Sequence, residues 1–172
     1  MNDSKLFAGI NVRSPRYLIA RTRGVCRHCK AQTNLFGLAL PPGHATPDGD
    51  EDAEDAEHSG AADNWLVSTH HALLFHVDFL NAEVQARLGS LTRSFRLGRR
   101  DVDAAPAWAN HCEACGAWLD DEELFCEPGE AFFPTSESSA ASIRLLGVDE
   151  VLEAAAGGYS FDPNFFHAMS RE

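Results

Sequence analysis

Apolar positions along the chain come in short runs divided by turn residues. Residues 17–25, YLIARTRGV, are rich in β-branched and aromatic types and predict a strand that runs straight into Cys26 and Cys29. Thr33 to Leu40, TNLFGLAL, predicts a second strand, ended by Pro41-Pro42-Gly43. Together they predict a hairpin with both cysteines at its tip. Residues 65–80, WLVSTHHALLFHVDFL, are strongly apolar: 65–69 predicts a strand, and 72–77 either continues it or opens a helix, because short apolar runs fit both. Asn81 then suits a helix N-cap, with Val84, Leu88 and Leu91 at i, i+4 and i+7 on one face and Gly89 or Gly98 as its end.

The pattern strand, cysteine turn, strand returns at AWANHCEACGAWLD, with Trp108 entering the turn and Trp118-Leu119 leaving it. Glu127-Pro128-Gly129 is a turn signal. Ser136–Ser142 predicts a short helix, Ile143–Val148 a strand, and Val151–Ala156 a strand or helix broken by Gly157-Gly158. Asp162-Pro163 predicts a last helix carrying Phe165, Phe166 and Met169. The whole chain, 1–172, is read as one α+β domain: zinc-ribbon-like β-hairpin knuckles joined by one metal site, with one or two packed helices.

Charge changes this picture because it is distributed in blocks. The formal net charge is −12, yet residues 1–30 carry seven basic groups against Asp3, and residues 87–100 hold five arginines and no acid. Seven acids fall in the ten residues 48–57, a run that repels itself and buries nothing, so 43–62 reads as a flexible acidic loop. The total charge disfavours nucleic acid and anionic membrane. No apolar run of 18 residues predicts a membrane span, and the N-terminal segment lacks the pattern of a secretory signal. Five cysteines, an odd number, argue against a disulfide framework, so the expected compartment is the reducing cytoplasm.

The strongest chemical signal is the pair of turns Cys26-x-x-Cys29 and Cys112-x-x-Cys115. Two intervening residues let both sulfurs of one turn face a single ion, and two such turns complete the four-thiolate shell that structural zinc prefers. Gly116 suits a turn that needs positive φ. The 82 residues between the pairs read as an insertion between the knuckles. A closed shell leaves no position for water, so the expected Zn2+ is structural. An iron–sulfur cluster or a redox dithiol is the alternative use of such thiols. A deaminase reading fails on order, since His111-x-Glu113 overlaps the second cysteine pair and no further pair follows. His28 and His111 flank the ligands and read as supporting groups. Cys126 reads as a small core residue, and the spacing of His71 and His76 does not match a helical zinc site. No nucleophile elbow, P-loop or dinucleotide fingerprint is present.

The combination of the first cysteine pair, NHCEACG, EPGEAFFP and GGYSFDPNFF resembles a group of small bacterial proteins with a split four-cysteine, zinc-ribbon-like site. The matching positions are Cys26, Cys29, Asn110, His111, Cys112, Cys115, Gly116, Glu127, Pro128, Gly129 and Phe132. Glu130 stands where the group has a second glycine, Phe125 where histidine is common, and the acidic run at 48–57 reads as an added loop. The resemblance implies a fold and a metal set, and it carries no activity. The expected function is a zinc-stabilised protein-interaction module: an adaptor, a regulator, or an inhibitor of a basic partner. One alternative is a nucleic-acid-binding ribbon using the arginines of 13–27 and 87–100, Arg93, Arg96, Arg99 and Arg100 among them, with Tyr17 and Phe95 for stacking. The other is an enzyme whose site no motif marks.

Overall fold

The computed structural model describes residues 9–48 and 64–172. Short β1 (Val12–Ser14) leads into β2 (Tyr17–Val25), which pairs antiparallel with β3 (Gln32–Leu40) from Leu18 opposite Ala39 to Val25 opposite Gln32. This is the predicted hairpin. Tyr17 to Ala20 are all buried, as befits a strand covered on both faces. Their alternation divides the core. Tyr17 and Ile19 join Phe36, Leu38, Leu74 and Leu88 on one face, while Leu18 and Ala20 join Leu35, Phe132, Ile143 and Leu145 on the other. Cys26 and Cys112 belong to the second set, so the cysteine turns are anchored in packed apolar side chains.

After β4 (Ala45–Pro47) and β5 (Trp65–Val67), residues Ala72–Leu80 form β6, which settles the open choice at 72–77 in favour of a strand. The helix α1 (Ala82–Leu91) buries Val84 and Leu88, while Leu91 stays 45% exposed, so its apolar face is shorter than predicted. Then come β7 (Phe95–Gly98), β8 (Ala107–Asn110), the one-turn α2 (Glu137–Ala140), β9 (Arg144–Val148), β10 (Leu152–Phe161) and β11 (Ser170–Arg171). The main strand order is β11-β9-β2-β3-β6-β10-β1-β4-β5, with β8 branching from β6 and β7 pairing β8. Among the described residues, only β11 on β9 is parallel. No helix among the described residues is long and apolar enough to cross a membrane.

Several local expectations give way. The insertion between the cysteine pairs supplies β3 and β6 to the middle of the strand order, and α1 adds Val84 and Leu88 to one core face. Most of the expected loop at 43–62 lies outside the described residues, but Ala45–Pro47 within it pairs with β5 and touches β1. Gly157-Gly158 does not break the chain. Both lie inside β10, where a Cβ on Gly158 would sit 2.3 Å from the Phe75 ring and one on Gly157 3.0 Å from the His76 Cβ. They are close-approach glycines rather than breakers. The helix expected after Asp162-Pro163 is reduced to a 3-10 turn at Phe166–Ala168, because Asp162 and Phe165 both adopt positive φ. Asn81 does sit at the helix start, but its side chain makes no cap. Its amide oxygen instead accepts the Glu153 N–H and its NH2 donates to Val151, tying α1 to β10.

Candidate metal centre

The two cysteine turns have the same hydrogen-bond skeleton. Cys26 N–H donates to Ala31 and Lys30 N–H to Cys26; Cys112 N–H donates to Ala117 and Gly116 N–H to Cys112, all at 2.8–2.9 Å. The residue after each second cysteine is left-handed, with φ of 65° at Lys30 and 74° at Gly116. In each turn the first cysteine is buried and the second exposed. The turns face one another so that Cys26 Sγ lies 3.8 Å from Cys115 Sγ, and Cys29 Sγ 3.6 Å from Cys112 Sγ. All four sulfurs fall within 4.8 Å of one another and could hold one metal ion. These separations are far too long for disulfides, whose S–S bond is about 2.0 Å.

The electrostatics of the thiols fit a cation. Main-chain N–H groups of Cys115 and then Ala114, helped by Cys29 and Cys26, outweigh burial and pull the Cys112 thiol down to about 6. The Ala117 N–H lowers Cys115, but burial and the three other cysteines outweigh it and push that thiol up to about 11. Four thiols this close cannot all ionise unaided, because each thiolate raises the next. A divalent ion at their centre removes that conflict.

Side chains dock the second turn onto the first hairpin. Asn110 is fully buried; its Oδ1 accepts the Phe36 N–H and its Nδ2 donates to the Phe36 C=O, both at 2.8 Å. It thereby stands in for a strand partner on β3. The Glu113 N–H donates to Thr33 Oγ1, and the Glu113 carboxylate accepts from Asn34 N–H and Nδ2. Arg27, inside the first turn, pairs with Glu123, Glu127 and Glu130. The EPGE turn is therefore tied to the metal hairpin, and Glu130 is one of the ties.

Beyond the second turn, Asp120 lies half-buried and Asp121 is 6% exposed. Asp121 Oδ2 accepts the His76 N–H at 2.7 Å while Oδ1 has no hydrogen-bond partner among the described residues, and burial pushes its carboxyl up to about 6. His76 has φ of 53°, and Asp121 opens a π-helical turn at Glu122–Cys126. The sequence reading missed this anchor, since a run of acids gives no sign of which one is buried.

His111 is buried, with Nδ1 against the carbonyls of Ala109 and Ser94, and burial and then Arg96 lower its pKa. It supports the strand and is not aimed at the sulfurs. Three further histidines face separate partners: His70 approaches Asp162, His71 stacks on Phe166, and His76 reaches Glu122. Cys126 is half-buried, and burial raises its thiol. Of the four arginines singled out, Arg96 lies on β7, Arg93 just before it, and both are exposed without an ion pair among the described residues. Arg99 donates to the Ala104 carbonyl, and Arg100 pairs with Asp120 at 2.9 Å.

A groove of about 810 Å³ adjoins the first turn, bounded by Val25, Leu35, Trp118, Leu119, Leu124 and Pro134 among others. Comparison of this chain with family models, with curated proteins and with solved structures returned no match.

Proposed function

We propose that Cys26, Cys29, Cys112 and Cys115 hold one structural zinc ion and that the chain is a protein-interaction module built around that centre. The observation that carries this is the closure of the sulfur set. Four sulfurs on a tetrahedron about 2.3 Å from zinc are about 3.8 Å apart along each edge, and two separations between the turns here are 3.6 and 3.8 Å. When bound, zinc supplies folding free energy, on the order of 10–16 kcal/mol at neutral pH. It leaves no coordination position for a substrate.

Support for the interaction reading comes from the rest of the surface. The net charge of −12 favours fast encounter with a basic partner. Leu97, Val102 and Phe161 are large apolar side chains at least 50% exposed. A reducing cytoplasm suits free thiols that must bind metal. The test is mild purification from the native host followed by native mass spectrometry. The expected species is the chain with one zinc and a stoichiometric protein partner. A folded, metal-free chain would overturn the zinc assignment, and a zinc-loaded chain without any protein partner would overturn the interaction reading.

A further inference from the structure

Strand β2 loses one neighbour partway along its length. It stays on β3 through Val25, but it pairs with β9 only from Tyr17 to Arg21. β9 begins at Arg144, because the residues before it leave the sheet as α2 and its following turn. The Cys26 N–H donates to Ala31 on the β3 side. Main-chain groups of a strand alternate sides, so Gly24 and Thr22 also face β3, whereas Arg23 and Val25 face away from it. The far side of β3 shows the matching phase: Phe36 and Asn34 offer their main-chain groups to Asn110 and Glu113. Arg23 and Val25 therefore direct N–H and C=O to an open edge, and among the described residues nothing bonds them there.

Two hollows meet along that edge and share Thr22, Arg23 and Ser142 as walls. The 810 Å³ groove has Leu35, Trp118 and Leu124 in its wall together with the charged Arg27, Asp120 and Glu130. The other, about 580 Å³, is bounded by Arg21, Arg23 and Arg144. Arg21 and Arg144 share the single carboxylate of Glu172, and Arg23 has no ion pair among the described residues. This is a local excess of positive charge in a chain whose total is −12.

We propose that the open edge of β2 at Arg23 and Val25 takes up an extended segment of a partner protein by strand addition, and that this segment alternates apolar with acidic residues. Strand addition supplies the missing main-chain hydrogen bonds, and alternate side chains of the added strand point to opposite faces. One set enters the groove beside Leu35 and Trp118. The other meets Arg21, Arg23 and Arg144. The proposal rests on the interaction reading above and concerns one segment only: the stretch that meets this edge is acidic, although the chain's total charge of −12 favours a partner that is basic overall.

The test uses the full zinc-loaded chain and three labelled heptapeptides: Val alternating with Glu, Val alternating with Lys, and the Val/Glu peptide N-methylated at every second residue. Fluorescence anisotropy should show binding of the Val/Glu peptide alone. Arg23→Glu, an exposed substitution, should weaken it by at least about tenfold, and Arg23→Ala by less. Zinc content and melting temperature of each variant report that the fold is kept. Amide exchange at Arg23 and Val25 should slow by at least about tenfold when the peptide binds. Absence of Val/Glu binding, equal binding of the Val/Lys peptide, or indifference to N-methylation each overturns the proposal. Protection of the same amides in a concentration-dependent dimer of the chain would assign the edge to a second copy and overturn it too. If the native complex contains zinc and a partner while no peptide binds, this inference fails and the interaction reading stands.

Discussion

The two cysteine turns are alike in their hydrogen bonds and unlike in what holds them. Cys26–Cys29 caps a pair of nine-residue strands that lie in the middle of the sheet. Cys112–Cys115 is closed by the single bridge His111–Trp118 after a four-residue strand. It relies on Asn110 and Glu113 for its place against β3 and on Asp121 beyond it for its grip on β6. The same local geometry can thus be imposed by strands or assembled from distant side chains. The first turn is a local product of its hairpin. The second is a tertiary product, and it should be the first to come apart.

With zinc bound as proposed, removing it should expose that difference most. Structural zinc contributes on the order of 10–16 kcal/mol, as large as the whole net stability of an ordinary domain. Chelation, or Cys112→Ser, should abolish zinc retention and erase amide protection across residues 107–121, while the upper part of the β2–β3 hairpin keeps the most protection. Hydrogen exchange read by mass spectrometry checks this, and equal loss in both turns would break the comparison. Asn110→Ala comes next. It leaves the buried N–H and C=O of Phe36 unpaired, at about 1–3 kcal/mol each, and urea titration of the zinc-loaded protein should show a loss of about 2–6 kcal/mol.

Asp121 makes the anchor of the second turn dependent on pH. Burial raises its folded pKa to about 6, above the usual carboxylate value, so the folded state holds the proton more tightly than the unfolded state. Its contribution is fully present below about pH 4 and is lost as pH rises through about 6, roughly 3 kcal/mol in all and about 1 kcal/mol between pH 5 and 7. Asp121→Asn should flatten that slope in denaturant titrations over this range. An unchanged slope would remove Asp121 from the account.

The smallest effect tests the turns against each other directly. Lys30 holds a left-handed conformation that costs an L-residue about 1–2 kcal/mol, whereas Gly116 adopts it freely. The Lys30 Nζ bond to the Arg27 carbonyl is exposed and offsets little of this. Lys30→Gly should stabilise the zinc-loaded protein by about 1 kcal/mol, and Gly116→Ala should destabilise it by a similar amount, both readable as shifts in melting temperature.

Much of the candidate centre is legible in the chain itself. Cys-x-x-Cys repeated twice names all four sulfurs, and Gly116 marks the left-handed position of one turn. Lys30 gives no such sign, because its strain is imposed by the hairpin around it. The strand at 17–25 and the helix after Asn81 follow from local composition. Phe95–Gly98 does not, since it is a strand only by pairing with Ala107–Asn110. Gly157-Gly158 misled for a similar reason: a glycine pair signals a turn locally but, within β10, makes room for Phe75 and His76.

Sequence by itself determined the four-cysteine set, the charge blocks, the hairpin tip and the helix start, because each depends on residue type or on spacing within a few positions. Tertiary structure alone decided that the 82 residues between the cysteine pairs build the middle of the sheet, that Asn110 serves as a strand partner, that Asp121 is the buried acid of its run, and that β2 has an open edge beside three arginines. Each of these depends on which distant strand lies alongside, and that pairing is selected by the burial of both core faces together rather than by any single stretch of the chain.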